Sequence, residues 1–170
     1  MPETPTFPLL ALGPDRYTGD ASNERFHRFQ DMAALTRVTR QEQRSGARLQ
    51  WDLIDNDGQL FRIVGETALQ TLTPLWDRIL MTVLRQREAI ADLMEIEFSA
   101  PAVVTFESVK ARVWASITRN QEEWDDEEPA LEVRRAPLPL SEVLRKANAA
   151  VDAATNVEDL FARLKEAWPT

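Results

Sequence analysis

The sequence predicts an α+β fold: a small, mostly antiparallel sheet built on a hairpin, covered by helices, with a helical hairpin at the C-terminus. Three observations predict it. Residues Arg48–Gly65 hold two runs of aromatic and branched side chains around Asp55-Asn56-Asp57-Gly58, and an Asp-Gly pair supplies the positive backbone angles of a tight hairpin turn. Met94, Ile96 and Phe98 alternate with Glu95 and Glu97, the period of a half-buried strand with an acidic outer row. Later stretches place apolar residues three and four apart, as amphipathic helices do.

Along the chain, residues 1–22 carry Pro2, Pro5, Pro8, Gly13-Pro14 and Thr18-Gly19 with little periodicity, and read as a loose N-terminal arm ahead of a single domain over 23–170. Phe26 and Phe29 flank His27 in a short strand or turn that drops rings onto the core. Asp31 caps a helix running to Arg44, with Met32, Leu35 and Val38 inward and Ser45-Gly46 as its stop. Arg37, Arg40 and Arg44 fall on one stripe of that helix, read as a solvated face.

In the hairpin, Leu49, Trp51 and Leu53 share one face of the first strand. On the second strand, Phe61 and Ile63 lie on one face and Leu60 and Val64 on the other, so this strand is expected to be covered on both sides, with a third strand paired to it. Thr73-Pro74 opens a helix over residues 74–88 bearing Leu75, Trp76, Ile79, Leu80, Val83 and Leu84, with a strand over 79–84 as the competing possibility. The Met94–Phe98 strand stops at Ser99-Ala100-Pro101.

Thr105 caps a helix with Phe106, Val109, Val113 and Ile117 inward and Trp114 beside them, packed on the sheet. Carboxylates at a helix C-terminus oppose its dipole, so the helix is expected to end near Asn120 and the acidic run after it to be a loop. Residues 129–140, with three prolines, read as a connection. Ser141 caps a helix with Val143, Leu144, Ala147 and Val151 inward. Thr155 and Glu158 form a capping box for a last helix with Val157, Leu160, Phe161, Leu164 and Trp168 inward.

Composition excludes several functions. With 170 residues and 44% hydrophobic content the chain is long enough for a sizeable core. It has no Cys and one His, which removes disulfides, thiolate sites, cysteine nucleophiles and multi-histidine metal centres. No phosphate-cradling glycine loop and no nucleophile elbow occurs. Asp55, Asp57 and Gly58 imitate part of a calcium loop, but Leu53 and Val64 stand where its first and last oxygen ligands belong. No cofactor or metal is expected. Neither a signal peptide nor a membrane span is visible, which points to the cytoplasm.

The net charge of −8 argues against binding nucleic acid or an anionic membrane. It is unevenly spread: residues 66–128 carry 6 basic and 13 acidic groups, a net of −7. The densest part is Glu122, Glu123, Trp124, Asp125, Asp126, Glu127 and Glu128, six carboxylates around one Trp, which reads first as a solvated loop that keeps the chain soluble and, with Trp124 as an apolar anchor, as the candidate docking surface for a basic partner.

The order of elements resembles small uncharacterised bacterial proteins, some of them immunity-like. The similarity is carried by the helix after Phe29-Gln30-Asp31, the Asp55–Ile63 hairpin, the Glu95-Ile96-Glu97-Phe98 strand with the Thr105-Phe106-Glu107-Ser108 helix start, and the closing Asn156-Val157-Glu158-Asp159-Leu160. It covers residues 26–168; the leading arm and Thr71–Asp92 depart from it. The resemblance implies an intracellular protein that binds and neutralises a toxin, and it carries over no catalytic residues.

The expected function is thus a non-enzymatic, inhibitory binding protein that docks a basic partner through its acidic surface. A structural or assembly subunit of a homo-oligomer, associating through exposed apolar surface, is the alternative. A carboxylate-dependent hydrolase using Asp52, Asp55 or Asp57 ranks third.

Overall fold

The structure, a computed structural model, describes the backbone of residues 4–22, 24–126 and 140–167, and the side chains of 4–22, 24–119 and 142–167. Its fold is α+β. The chain divides into two compact units, residues 1–55 with 59–103, and residues 56–58 with 104–170.

The first unit is an antiparallel sheet with short helices. Its strands are β1 (Leu9–Pro14), β2 (Glu24–Phe29), β3 (Arg37–Thr39), β4 (Asp52–Ile54), β5 (Gln59–Thr71), β6 (Ala91–Phe98) and β7 (Ala102–Val103). They run in the order β2-β1-β4-β5-β6-β3, with β7 also paired to β5. The sheet turns on β5. Its first residues pair with β4, as Leu53 opposite Phe61, and its remainder pairs with β6 from Ile63–Phe98 to Thr71–Asp92, through register shifts at Ile63/Gly65 and Ala68/Gln70. Such bulges bend a strand and raise its twist, letting one strand serve both halves of a curled sheet.

The core gathers Leu9, Ala11, Phe29, Leu35, Trp51, Leu53, Phe61 and Ile63, flanked by Phe7, Met32, Ile96 and Phe98. Trp51 lies at its centre. His27 and Phe29 sit 5.1 and 5.8 Å from its ring, the Arg48 guanidinium lies 5.3 Å from it, and its Nε1 donates to the Pro14 carbonyl at 3.0 Å. A Cβ at Gly13 would stand 2.6 Å from Trp51 Cδ1, so Gly13 is what lets β1 run this close to the indole.

The fold departs from several expectations. The supposed N-terminal arm contains β1, a wholly buried strand held between β2 and β4; Gly13-Pro14, read as turn formers, are its last two residues. The helix expected over 31–44 is interrupted. Asp31 does cap α1 (Met32–Thr36), its Oδ1 accepting from the Ala34 N–H at 2.8 Å, but Arg37–Thr39 then leaves the helix to pair with β6. Thr39 and Glu42 form a reciprocal capping box for α2 (Arg40–Ser45), which ends at Gly46 in the left-handed region. Ala47–Gln50 is a 3-10 turn rather than strand, which leaves Leu49 half-exposed and buries Arg48. β5 extends six residues beyond Gly65, and Val64 on its outer face is exposed, so that strand is covered on one face only.

The segment expected to be helix over 74–88 is helix rather than strand but shorter: α3 spans Leu75–Val83, and after a turn at Leu84 and Arg85 a 3-10 turn follows at Arg87–Ala89. Thr73 is not its cap; its hydroxyl accepts from the Ala91 N–H at 2.9 Å, and Pro74 takes the cap position. β6 pairs with β5 as expected, Met94 buried and Glu95 and Glu97 facing out.

The second unit holds α4 (Phe106–Asp126), α5 (Leu140–Ala153) and α6 (Val157–Ala167). Val109, Val113 and Ile117 of α4, Leu144, Ala147 and Val151 of α5, and Val157, Leu160, Phe161 and Leu164 of α6 are buried, the stripes their spacing predicts. α5 packs against both α4 and α6, and the α5–α6 pair is the expected helical hairpin. Lys110 donates to the carbonyls of Asp152 and Ala154, at 2.7 and 3.3 Å, tying α4 to the end of α5. The cap of α6 lies one residue later than predicted. Asn156 Oδ1 accepts from the Asp159 N–H at 2.8 Å, and Asp159 in turn accepts from the Thr155 N–H at 3.0 Å. That backbone N–H, ahead of the Arg163 ion pair, holds the Asp159 carboxyl below the usual range. Trp168 and the connection over 129–139 lie outside the described residues.

Candidate functional site

The residues predicted to form the acidic docking surface do not begin in a loop. α4 continues through Glu122, Glu123, Trp124, Asp125 and Asp126, because Gln and Glu are good helix formers and their propensity outweighs an opposing dipole that acts over the last turn alone. The side chains of those five residues, and Glu127 and Glu128 altogether, lie outside the described residues.

The aspartates of the hairpin have local roles. Asp52 pairs with Arg62 across the β4–β5 ladder at 2.8 Å. Asp55 is buried and closes the turn, accepting from the Gln59 N–H at 2.7 Å and the Thr6 N–H at 3.3 Å. Asp57 is exposed at the tip. Among the described residues no group of three or more acidic or histidine side chains is arranged to hold a metal ion, and no helix is long and apolar enough to cross a membrane. His27 is a packing residue: burial first, and the Arg16 charge second, push its imidazole down to about 4, so the neutral ring lies against Trp51 at neutral pH.

Two buried charges organise the first unit. Glu42 accepts from the Thr39 N–H at 2.8 Å, the Thr39 hydroxyl at 2.7 Å and Arg16 Nε at 2.6 Å. Arg48, 1% exposed, donates to Glu66 and to the Leu35 carbonyl, both at 2.8 Å. Both arrangements neutralise a charge that burial would otherwise penalise severely.

The feature without a structural role is α3. Leu75, Ile79 and Val83 recur at four-residue spacing, as do Trp76, Leu80 and Leu84, and together they fill one arc of the helix. In a surface helix this arc normally faces the core. Here it faces outward: the six side chains are 46–79% exposed, and no residue of α3 is buried. The less exposed positions are Arg78, Met81 and Thr82, so the helix is amphipathic with its apolar side turned away from its own unit. Monomers rarely expose contiguous apolar patches beyond a few hundred Å². Beside the stripe runs an open cleft of about 370 Å³ in which Leu75, Ile79 and Val83 face Arg40, with buried Ile90 and Arg78 also lining it.

The apolar arc of α3 was legible in the sequence; its direction was not. Chain periodicity shows that a helix has an apolar face, and the partner of that face is a tertiary fact. Compared with protein-family models, curated proteins and solved structures, the chain matches none of them.

Proposed function

We propose that this chain is a non-enzymatic protein-binding protein whose docking surface is the outward apolar stripe of α3. One observation carries this reading: six large apolar side chains at helical spacing stand exposed on a helix that buries none of its own residues. The helix-in-groove mode of recognition uses such anchors at i, i+4 and i+7. Neutralisation of a toxin, implied by the resemblance to immunity-like proteins, is one instance of this class and rests on that resemblance alone. The acidic run remains a second proposal, because α4 carries the backbone of Glu122–Asp126 as continuous helix.

The test is site-specific photocrosslinking in the native host with a benzophenone amino acid at Trp76 or Val83, and at exposed Thr67 of β5 as control. A discrete adduct from both α3 positions and none from Thr67 supports the assignment. Absence of any adduct from α3 overturns it.

A further inference from the structure

The charges around the α3 stripe specify what it receives. The cleft is lined by two guanidiniums, Arg40 and Arg78, and by no carboxylate among the described residues. Arg40 is partly satisfied by Asp92 at 3.6 Å, whereas Arg78 Nε is buried with no hydrogen-bond partner among the described residues. Arg85, in the left-handed conformation just past the helix, and Arg87 also have no ion pair there, while Glu88 is held by Arg44 at 2.6 Å. Asp77 is thus the one uncommitted acid beside three uncommitted arginines in this described stretch. Guanidiniums without a carboxylate of their own are ready to form charge-assisted pairs with carboxylates brought by a partner.

Resting on the docking role just proposed, we infer that the α3 stripe and its cleft bind an amphipathic helical segment of another protein, with apolar anchors for Leu75, Trp76, Ile79, Leu80 and Val83 and flanking carboxylates for Arg78, Arg85 and Arg87. The occupant is not a second copy. Two α3 faces laid together bring three arginines toward three arginines against one free aspartate each. The chain's net charge of −8 does not forbid an acidic segment. At about 0.1 M salt, exposed charges beyond roughly 10 Å are largely screened, so the arginines beside the helix set the local field.

The experiment titrates the full chain into two fluorescein-labelled helical peptides with identical leucine anchors, one flanked by Glu and its twin by Lys, followed by anisotropy at 50 and 300 mM salt. The expected result is binding of the Glu peptide at least about tenfold tighter than its twin, a preference that shrinks with salt and disappears in an Arg78→Gln, Arg85→Gln, Arg87→Gln variant. A Trp76→Ser, Leu80→Ser variant loses both peptides. Equal affinity for the twins, or tighter binding of the Lys peptide, overturns the inference about charge and leaves the docking role standing. Sedimentation showing a dimer that the Trp76→Ser, Leu80→Ser variant dissociates overturns the choice of occupant. No binding of either peptide at chain concentrations up to about 100 μM overturns this inference, and with no crosslink from α3 the docking role falls with it.

Discussion

Truncating Arg48 tests the electrostatic design of the first unit most directly. Its guanidinium is 1% exposed, and it meets Glu66 and the Leu35 carbonyl at 2.8 Å and lies over the Trp51 ring. Arg48→Ala therefore removes three interactions together. It leaves the Glu66 carboxylate, itself 12% exposed, without its cation, orphans a buried carbonyl, and opens a gap beside the indole. Removing one member of a buried pair costs about 3–5 kcal/mol. For a chain of this size each kcal/mol lowers Tm by about 2–4 °C, so the melting transition should fall by about 10 °C. Urea denaturation followed by circular dichroism measures the loss as a shift in midpoint at constant slope. Arg48 Nη1 is itself buried without a partner among the described residues, so the native pair already carries a cost. The double variant Arg48→Met, Glu66→Gln should accordingly recover most of the stability, since isosteric replacement of a whole buried pair is often neutral. A loss below about 1 kcal/mol for Arg48→Ala, or a double variant as unstable as the single one, refutes the account.

Further outcomes follow from other sites. His27 is neutral in the folded chain down to about 4 and titrates near 6.5 when unfolded, so the unfolded state takes the extra proton between those values and stability falls as pH drops through that window. The loss is about 2 kcal/mol by pH 5, and His27→Phe should remove that share of the slope in parallel pH titrations of wild type and variant. Gly19→Ala places a Cβ 2.5 Å from the Ser45 carbonyl oxygen at a φ of +70° and should cost about 2–3 kcal/mol in the same denaturation assay. Asn156→Ala should cost about 1 kcal/mol through the lost α6 cap, whereas Glu158→Ala should be nearly silent; the reverse order would restore the capping box first expected at Thr155. Trp76→Ser with Leu80→Ser should change thermal stability by no more than about 0.5 kcal/mol per site, the range of exposed positions. A loss beyond about 2 kcal/mol would mean that the stripe is covered by this chain.

The elements readable in advance were those whose residues repeat a period over their whole length. β6, the β4–β5 turn, and the buried faces of α4, α5 and α6 follow from alternation or from i, i+3/i+4 spacing, although α4 runs on to Asp126 where an end near Asn120 was expected. Failures came where one residue does two jobs. Val38 fits the helical stripe of Met32 and Leu35 but pairs in β3 with Asp92, a long-range partner that a local pattern cannot name. The break was nonetheless written in the chain, because Thr39-Arg40-Gln41-Glu42 is itself a capping box and announces a helix start at Arg40. β1 was missed because an apolar run of four residues between prolines has no period to measure. Arg48 carries no signal at all; a buried arginine is known only by Glu66 and Trp51, which the fold brings to it. The α3 stripe was legible beside a competing strand over 79–84, and only the fold shows that it is helix and that its own unit does not cover it.

That outward face also bears on how the protein behaves as a colloid. An uncovered ridge of Trp, Leu, Ile and Val is adhesive at contact, and the force that opposes it between copies is the mutual repulsion of chains of net charge −8 and isoelectric point near 4.8. Repulsion of this kind acts between whole molecules, while the adhesive acts at contact, so at neutral pH the chain can carry an open ridge without clumping. Near pH 4.8 the repulsion vanishes while the ridge persists. The acidity of the remainder, whatever it binds, therefore also serves as the solubilising counterpart of α3, and substitutions that drain negative charge far from the helix should first show themselves as precipitation.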